Sequence, residues 1–229
     1  MVKCPKERNH LIIATNFSKI MAIPPADWDT YAHSTNSIII RAYYFFTVWR
    51  NYRWLLQGLK IPHGSMLEIG ASTGQNSLRL AKRYNLRPTL VDTSPLALAM
   101  AKRRFIHAQI RANFILEDVL NLSLSIRFDM VHSHGLLEHF KPSIQKIAFH
   151  NHSKHVKPDG WLVSWVPTPD IPYRINRWYL EHSGQWIFGF EEPIKLGSFI
   201  KLFHHENLVI RKIRHVPGWI GIAAQKALI

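Results

Sequence analysis

The residues whose types and spacing could do chemistry fall in one stretch: Glu68-Ile69-Gly70-Ala71-Ser72-Thr73-Gly74, then Asp92, then Asp118, then His132-Ser133-His134-Gly135-Leu136-Leu137-Glu138-His139. Glycines at 70 and 74 let the backbone turn tightly and come close to a ligand. Asp92 is placed to accept hydrogen bonds from ribose hydroxyls, and Asp118 from an exocyclic amino group. His134 and His139 can hold or move a proton near neutral pH. The Gly70–Gly74 turn admits three readings. As a dinucleotide fingerprint, G-x-G-x-x-G, it fails twice, because Ser72 and Gln75 stand where the second and third glycines belong. As a nucleophile elbow it is a literal G-x-S-x-G, but such an elbow normally follows several earlier strands, and only a helical, aromatic segment precedes this one. The third reading comes from the acids downstream, Asp92 lying 22 residues after Gly70.

These side chains need elements to hold them. After Pro62-His63-Gly64 the chain reads as strand Ser65–Ile69, a turn, helix Gln75–Tyr84, strand Thr89–Val91 and helix Pro95–Phe105. Strands Phe114–Leu116 and Phe128–His132, helix Lys141–His155, a turn at Lys157–Gly160 and strand Trp161–Val166 follow. Such alternation implies a parallel sheet covered on both faces, with the candidate acids at the carboxyl ends of its strands, where open α/β sheets bind ligands. Residues 167–190, rich in Pro and aromatics, break the rhythm. A helix Leu196–Glu206 and two strands, Leu208–Arg214 and Trp219–Ala224, close the chain. Ahead of the core, Ser34–Leu59 has helical spacing with apolar residues nearly all round, so it is expected to pack on the main domain.

The length of 229 residues suits one α/β domain with a small cap. At 47% hydrophobic and 19% charged, the chain is neither disordered nor collagen-like. A single Cys, Cys4, excludes a disulfide framework and a Cys-rich zinc module. The longest apolar run in the aromatic N-terminal stretch, Ala42 to Trp49, has eight residues against the ~20 that cross a bilayer. No transmembrane segment or signal peptide is read, and a cytoplasmic location is expected. The formal charge of +14 favours nucleic acid, anionic surfaces or acidic substrates, but no basic run reaches five residues. A solvated basic surface is the plainer reading.

In this order and spacing the motifs resemble the class I S-adenosylmethionine (SAM)-dependent methyltransferases, closely over residues 62–166 and loosely over the C-terminal hairpin. The resemblance implies an α/β fold: a Rossmann-like three-layer αβα sandwich on a seven-stranded mixed sheet, its last strand antiparallel. It implies a helical N-terminal lid within residues 1–60 and a core over 61–229, with a substrate-cap insert at about 167–200. The cofactor would be SAM and its product S-adenosylhomocysteine (SAH). Carried over residue by residue, Glu68 with Gly70, Ala71, Ser72 and Gly74 would hold the amino and carboxylate ends of the methionine moiety. Asp92, with Thr93 beside it, would bind the ribose hydroxyls, and Asp118 the adenine amino group, with the Val119 backbone facing the ring. Ser133 and His134 would line the floor beside the sulfonium. Ser72 departs from the pattern, since many members have glycine there. His139 and His134 are the nearest candidates for a catalytic base. One quinone-methylating branch is thought to seat a metal near this Glu-His pair, with another acid three residues before the Glu; Gly135 holds that position here, and no metal is expected.

Absent motifs narrow the acceptor. The Asn/Asp-Pro-Pro-Tyr/Phe signature for exocyclic base nitrogens is missing after the fourth strand, and Cys4 is far from the motifs that cytosine C5 chemistry would need. Aromatic residues of the lid, among them Tyr43, Tyr44, Phe46 and Tyr52, and of the insert, among them Tyr173, Trp178 and Phe188, suit a small, partly apolar acceptor. The resemblance to the quinone-methylating relatives implies that Trp28 and Tyr31 would close over the cofactor. Transfer would be an in-line displacement in a closed pocket. Two alternatives stay open: an RNA or protein methyltransferase that uses the basic surface, and a non-catalytic SAM-binding regulatory subunit. His150, His152 and His155 have a metal-like look, but on a helix His150 and His152 point about 200° apart. They are expected to be surface histidines.

Overall fold

The computed structural model describes residues 27–34 and 47–227. Cys4, Tyr43, Tyr44, Phe46 and most of the expected N-terminal lid lie outside the described residues. The elements in chain order are α1 (Trp28–Ser34), α2 (Trp49–Leu56), β1 (Gly64–Ile69), α3 (Gln75–Tyr84), β2 (Leu86–Asp92), α4 (Pro95–His107), β3 (Asn113–Leu116) and β4 (Phe128–His134). A 3-10 turn (Leu137–His139) then leads to α5 (Pro142–Ser153), β5 (Val156–Pro167), α6 (Ile171–His182), α7 (Leu196–His205), β6 (Leu208–Val216) and β7 (Trp219–Lys226). Local chemistry sets the boundaries. Ser94 caps α4 by accepting from Ala97 N–H, with Pro95 opening the first turn. Asn85 ends α3 in the left-handed region.

The seven strands run in the order β3-β2-β1-β4-β5-β7-β6, parallel from β3 to β5, with β7 antiparallel to both its neighbours. This is the expected mixed sheet with an antiparallel last strand. The chain reverses its direction of travel across the sheet between β1 and β4, which opens a crevice at their carboxyl ends. Alternate strand residues face opposite layers. Met66, Met130, Val163 and Trp165 pack on α2 and α3 through Tyr52, Leu55, Leu56 and Leu80. Leu67, Val131, Leu162 and Ile222 pack on α5 and α7 through Phe149, Phe199 and Phe203. Trp165 fits because Gly221 on β7 has no side chain: a Cβ there would stand 2.4 Å from the indole.

Two expectations need correction, and one stretch left without an element gains a helix. The turn read at Lys157–Gly160 is absorbed into β5, which begins at Val156 opposite Phe128, and the extra length is taken up by a register shift after Phe128 and by Asp159 at φ 62. Residues 167–190 contain helix α6, capped by Asp170 accepting from Tyr173 N–H with Pro172 in its first turn. The histidines of α5 are not all on the surface. His150 is exposed beside Glu206, whereas His152 and His155 are buried, their Nδ1–H groups donating to the carbonyls of Ala148 and Asn151. His155 Nε2 also accepts from Leu124 N–H, so it fastens the loop before β4. Among the described residues no helix is long and apolar enough to cross a membrane.

Candidate active site

The loop from Gly70 to Gly74 leaves β1 and enters α3 with three of its five residues left-handed: Gly70 at φ 69, Ser72 at 46 and Gly74 at 67. The N–H groups of Gly70 and Ala71 both donate to the carbonyl of Val91, clamping the loop to the end of β2. Gly74 is required twice, by its φ and because a Cβ would stand 2.7 Å from Leu90 Cδ2. Ser72 holds its conformation without being glycine. Its N–H donates to Asp92 Oδ2 at 2.7 Å, while its Oγ is shielded from solvent and has no partner among the described residues. A polar atom left so costs stability unless something binds it.

Asp92 ends β2 half-buried. One carboxylate oxygen takes Ser72 N–H and the other Ser94 N–H at 2.9 Å, and each keeps a second lone pair. Burial pushes its carboxyl up, opposed by those bonds. Thr93 beside it is exposed and, with Asp27, Trp28, Asp29, Ser94 and Pro95, lines a cleft of about 250 Å³. Asp118 sits just past β3, its Oδ1 capping the turn through Leu120 N–H at 2.9 Å. Val119 is buried in the core, and its carbonyl accepts from Asn151 Nδ2, which fixes this turn to α5.

Glu68 lies under the loop in a buried polar network. Its Oε2 accepts from Ser77 N–H at 3.3 Å, and its Oε1 is 3.8 Å from His132 Nδ1. His132 also meets Tyr52 Oη at 3.4 Å and Ser77 Oγ at 3.3 Å. Burial pushes Glu68 up to about 8 and His132 down to about 3, so both are neutral at pH 7. Asn76 Oδ1, near Glu68, is a further shielded atom without a partner among the described residues.

At the end of β4 the candidates separate. Ser133 is fully buried, its Oγ bonded to Ser164 Oγ at 3.0 Å, so its hydroxyl belongs to the packing between β4 and β5. His134 stacks on Trp219 with centroids 4.6 Å apart and on Tyr52 at 5.9 Å; burial pushes it down to about 4. His139 stands in the 3-10 turn, Nδ1–H donating to the Phe190 carbonyl at 3.0 Å. Its Nε2 lies 3.9 Å from Glu138 Oε1 and 4.0 Å from Glu191 Oε2, and burial pushes the ring down to about 4. Trp28 meets this imidazole edge-on at 4.8 Å. Sequence reasoning missed Glu191, Phe190 and Asp29. The first two arrive from the insert, far along the chain, and nothing in local spacing points to them. Asp29 receives Ser94 Oγ–H at 2.5 Å and ties α1 to the start of α4.

Residues 66–160 match the model of a methyltransferase domain. No curated protein matches the chain. Among solved structures, it is similar to the N-methyltransferase NodS from Bradyrhizobium japonicum WM9 in complex with SAH, at 18% identity and a TM-score of 0.60, over 83% of this chain and 89% of that one. A SAM-dependent methyltransferase from Clostridium acetobutylicum ATCC 824 gives 16% and 0.61, over 88% and 99%. Magnesium protoporphyrin IX methyltransferase from Synechocystis PCC 6803 with bound SAH gives 13% and 0.61, over 82% and 99%.

Proposed function

We propose that the chain, whose residues 66–160 match a methyltransferase domain, is a class I SAM-dependent methyltransferase that methylates a small, partly apolar acceptor held between the carboxyl edge of the sheet, α1 and the insert near 167–200. One observation carries the reading. The carboxyl ends of β1, β2 and β4 bring together a left-handed loop with an unspent serine hydroxyl, a fixed carboxylate with free lone pairs, and an aromatic-covered histidine.

In this reading SAM lies across the switch point. The Gly70–Gly74 loop, including Ala71, and Glu68 hold the methionine end, where Ser72 Oγ would donate to the carboxylate. Glu68, neutral when the site is empty, ionises against the ammonium group. Asp92, with Thr93 beside it, takes the ribose hydroxyls, and Asp118 with the Val119 backbone the adenine. Ser133 contributes backbone alone to the floor, and His134, packed between Tyr52 and Trp219, forms a wall. A segment within residues 1–60 acts as the lid, Trp28 being its described contact. In-line displacement then needs alignment more than acid–base help, because the sulfonium leaves as a neutral thioether. His139 faces the acceptor side: the Phe190 carbonyl fixes its proton on Nδ1, so Nε2 presents a lone pair toward the pocket.

Trp28 and Phe188 stand in ring contact with His139, Tyr31 packs on both of them and Trp186 on Phe188, and such a lining suits a small apolar body rather than a phosphate backbone. The Synechocystis enzyme of similar fold, magnesium protoporphyrin IX methyltransferase, is one case of this fold acting on a small molecule. The test is incubation with methyl-labelled SAM and separate pools of metabolites, RNA and protein, at low and high salt. Label is expected in the low-mass fraction with little salt dependence. Label in RNA that fades steeply with salt, or label in protein, would overturn the acceptor class.

A further inference from the structure

Three lone-pair-bearing atoms converge where the turn after β4 meets the insert. The ligand-capable atoms of Glu138, His139 and Glu191 all lie within 4.8 Å of one another. The Glu138 side chain is 2% exposed, and its Oε2 has no partner among the described residues. His139 donates Nδ1–H to Phe190, so the nitrogen facing both carboxylates carries no proton. Glu191 Oε1 accepts from Tyr173 Oη–H at 2.7 Å, and Arg177 donates in turn to that phenol oxygen at 3.2 Å. The outer atoms of His139 and Glu191 are therefore committed to orienting bonds, while His139 Nε2 stands 3.9 and 4.0 Å from the two carboxylates, beyond hydrogen-bond distance. That is the arrangement of metal ligands with their supporting shell. A backbone bond from Glu192 N–H to the Glu138 carbonyl at 2.8 Å fixes the two segments to each other.

We propose that Glu138, His139 and Glu191 form a binding site for a divalent first-row cation, Mn²⁺ or Zn²⁺, at the acceptor side of the pocket. Mixed imidazole and carboxylate donors suit such ions. Three ligands held at ~2.1 Å from one ion in a tetrahedral set stand ~3.4 Å apart, so movement of up to about an ångström by each side chain closes the set. Three protein ligands leave positions open for an acceptor oxygen. The site stands on its own geometry; its role rests on the methyl-transfer reading. There, a coordinated acceptor hydroxyl would lose its proton to water, after which the oxygen–methyl bond forms as the sulfonium C–S bond breaks. The second acid is supplied by Glu191, not by position 135, which revises the expectation of no metal.

The test is titration of chelator-treated, buffer-exchanged protein with Mn²⁺, followed by calorimetry and by the Mn²⁺ paramagnetic resonance signal, with Zn²⁺ as competitor. One ion per chain is expected, weakened ~10–100-fold or more in Glu138→Gln and Glu191→Gln and less in Tyr173→Phe. Circular dichroism and the melting temperature check that each variant folds. SAH titrated into the same samples separates the two readings. Protein that binds SAH but no Mn²⁺, or variants that bind Mn²⁺ like the wild type, would overturn the metal site alone. Protein that takes Mn²⁺ but no SAH would leave the site standing and overturn the cofactor assignment.

Discussion

The indole of Trp28 stands edge-on to the imidazole of His139, ring centroids 4.8 Å apart, while the same residue lines the cleft beside Thr93 and Ser94. One short helix thus touches both the Thr93–Ser94 cleft and the His139 ring, the proposed nucleoside and acceptor ends of the pocket. It is held by Asp27 N–H donating to the Ile187 carbonyl at 3.2 Å and by Ser94 Oγ–H donating to Asp29.

Trp28→Ala should therefore weaken both ligands. An edge-on aromatic pair is worth about 0.5–1.5 kcal/mol beyond its buried area, so a several-fold loss is expected in SAH affinity and in acceptor KM, with little change in melting temperature. Steady-state kinetics and calorimetry on one preparation check it; an effect on one ligand alone would remove the bridging role of α1.

Glu68 predicts a pH dependence. Its pKa is raised in the folded state, from 4.5 to about 8, by burial. A raised carboxyl stabilises the fold fully below the unfolded value, and that contribution is lost as pH climbs through 8. Glu68→Gln has no such loss, so its melting temperature relative to wild type should improve from pH 6 to pH 9. The cofactor's ammonium group favours the ionised form, and wild-type SAH affinity should rise over the same range while the variant's stays flat. Parallel profiles would place Glu68 outside the binding site.

Ser72→Gly should have opposite effects on stability and binding. Removing Cβ at φ 46 relieves backbone strain of order 1 kcal/mol, and removing Oγ takes away the hydrogen bond proposed to the cofactor, worth about 1 kcal/mol or more. Greater resistance to urea with roughly five- to tenfold weaker SAH binding is expected. Complete loss of turnover with SAH binding intact would return the nucleophile-elbow reading.

Gly74→Ala meets both the left-handed φ and the contact with Leu90, and a loss of about 2–4 kcal/mol is expected in urea unfolding. Gly197→Ala on α7, where a Cβ meets nothing within 4 Å, should instead stabilise by up to about 1 kcal/mol.

What was legible in the sequence was local. The Gly70–Gly74 turn, α3 from Gln75 to Tyr84, and Asp92 at a strand end follow from periodicity and turn chemistry within a few residues, and the structure places them as expected. The hairpin was legible as two strands, Leu208–Arg214 and Trp219–Ala224, joined by a turn, and the structure makes that turn with Gly218 at φ 81. Long-range contacts were not. Helix α6 hides its cap, Asp170, behind a proline and a crowd of aromatics. The buried states of His152 and His155 depend on α5 packing against loops far away in the chain. Glu191 comes near His139 only through the folding of the insert, 53 residues after Glu138, which no local spacing announces.

The assignment of the cofactor site stands or falls on Asp92. Titration of SAH into the wild type and into Asp92→Ala, with Asp92→Asn to preserve shape, tests it most directly. The account predicts saturable binding to the wild type and a loss of at least about thirtyfold in Asp92→Ala, since hydrogen bonds to a charged group contribute about 1.5–3 kcal/mol each. Cooperative melting should persist in the Asn variant. Equal affinity in folded wild type and variants, or no SAH binding by folded wild type, would contradict it.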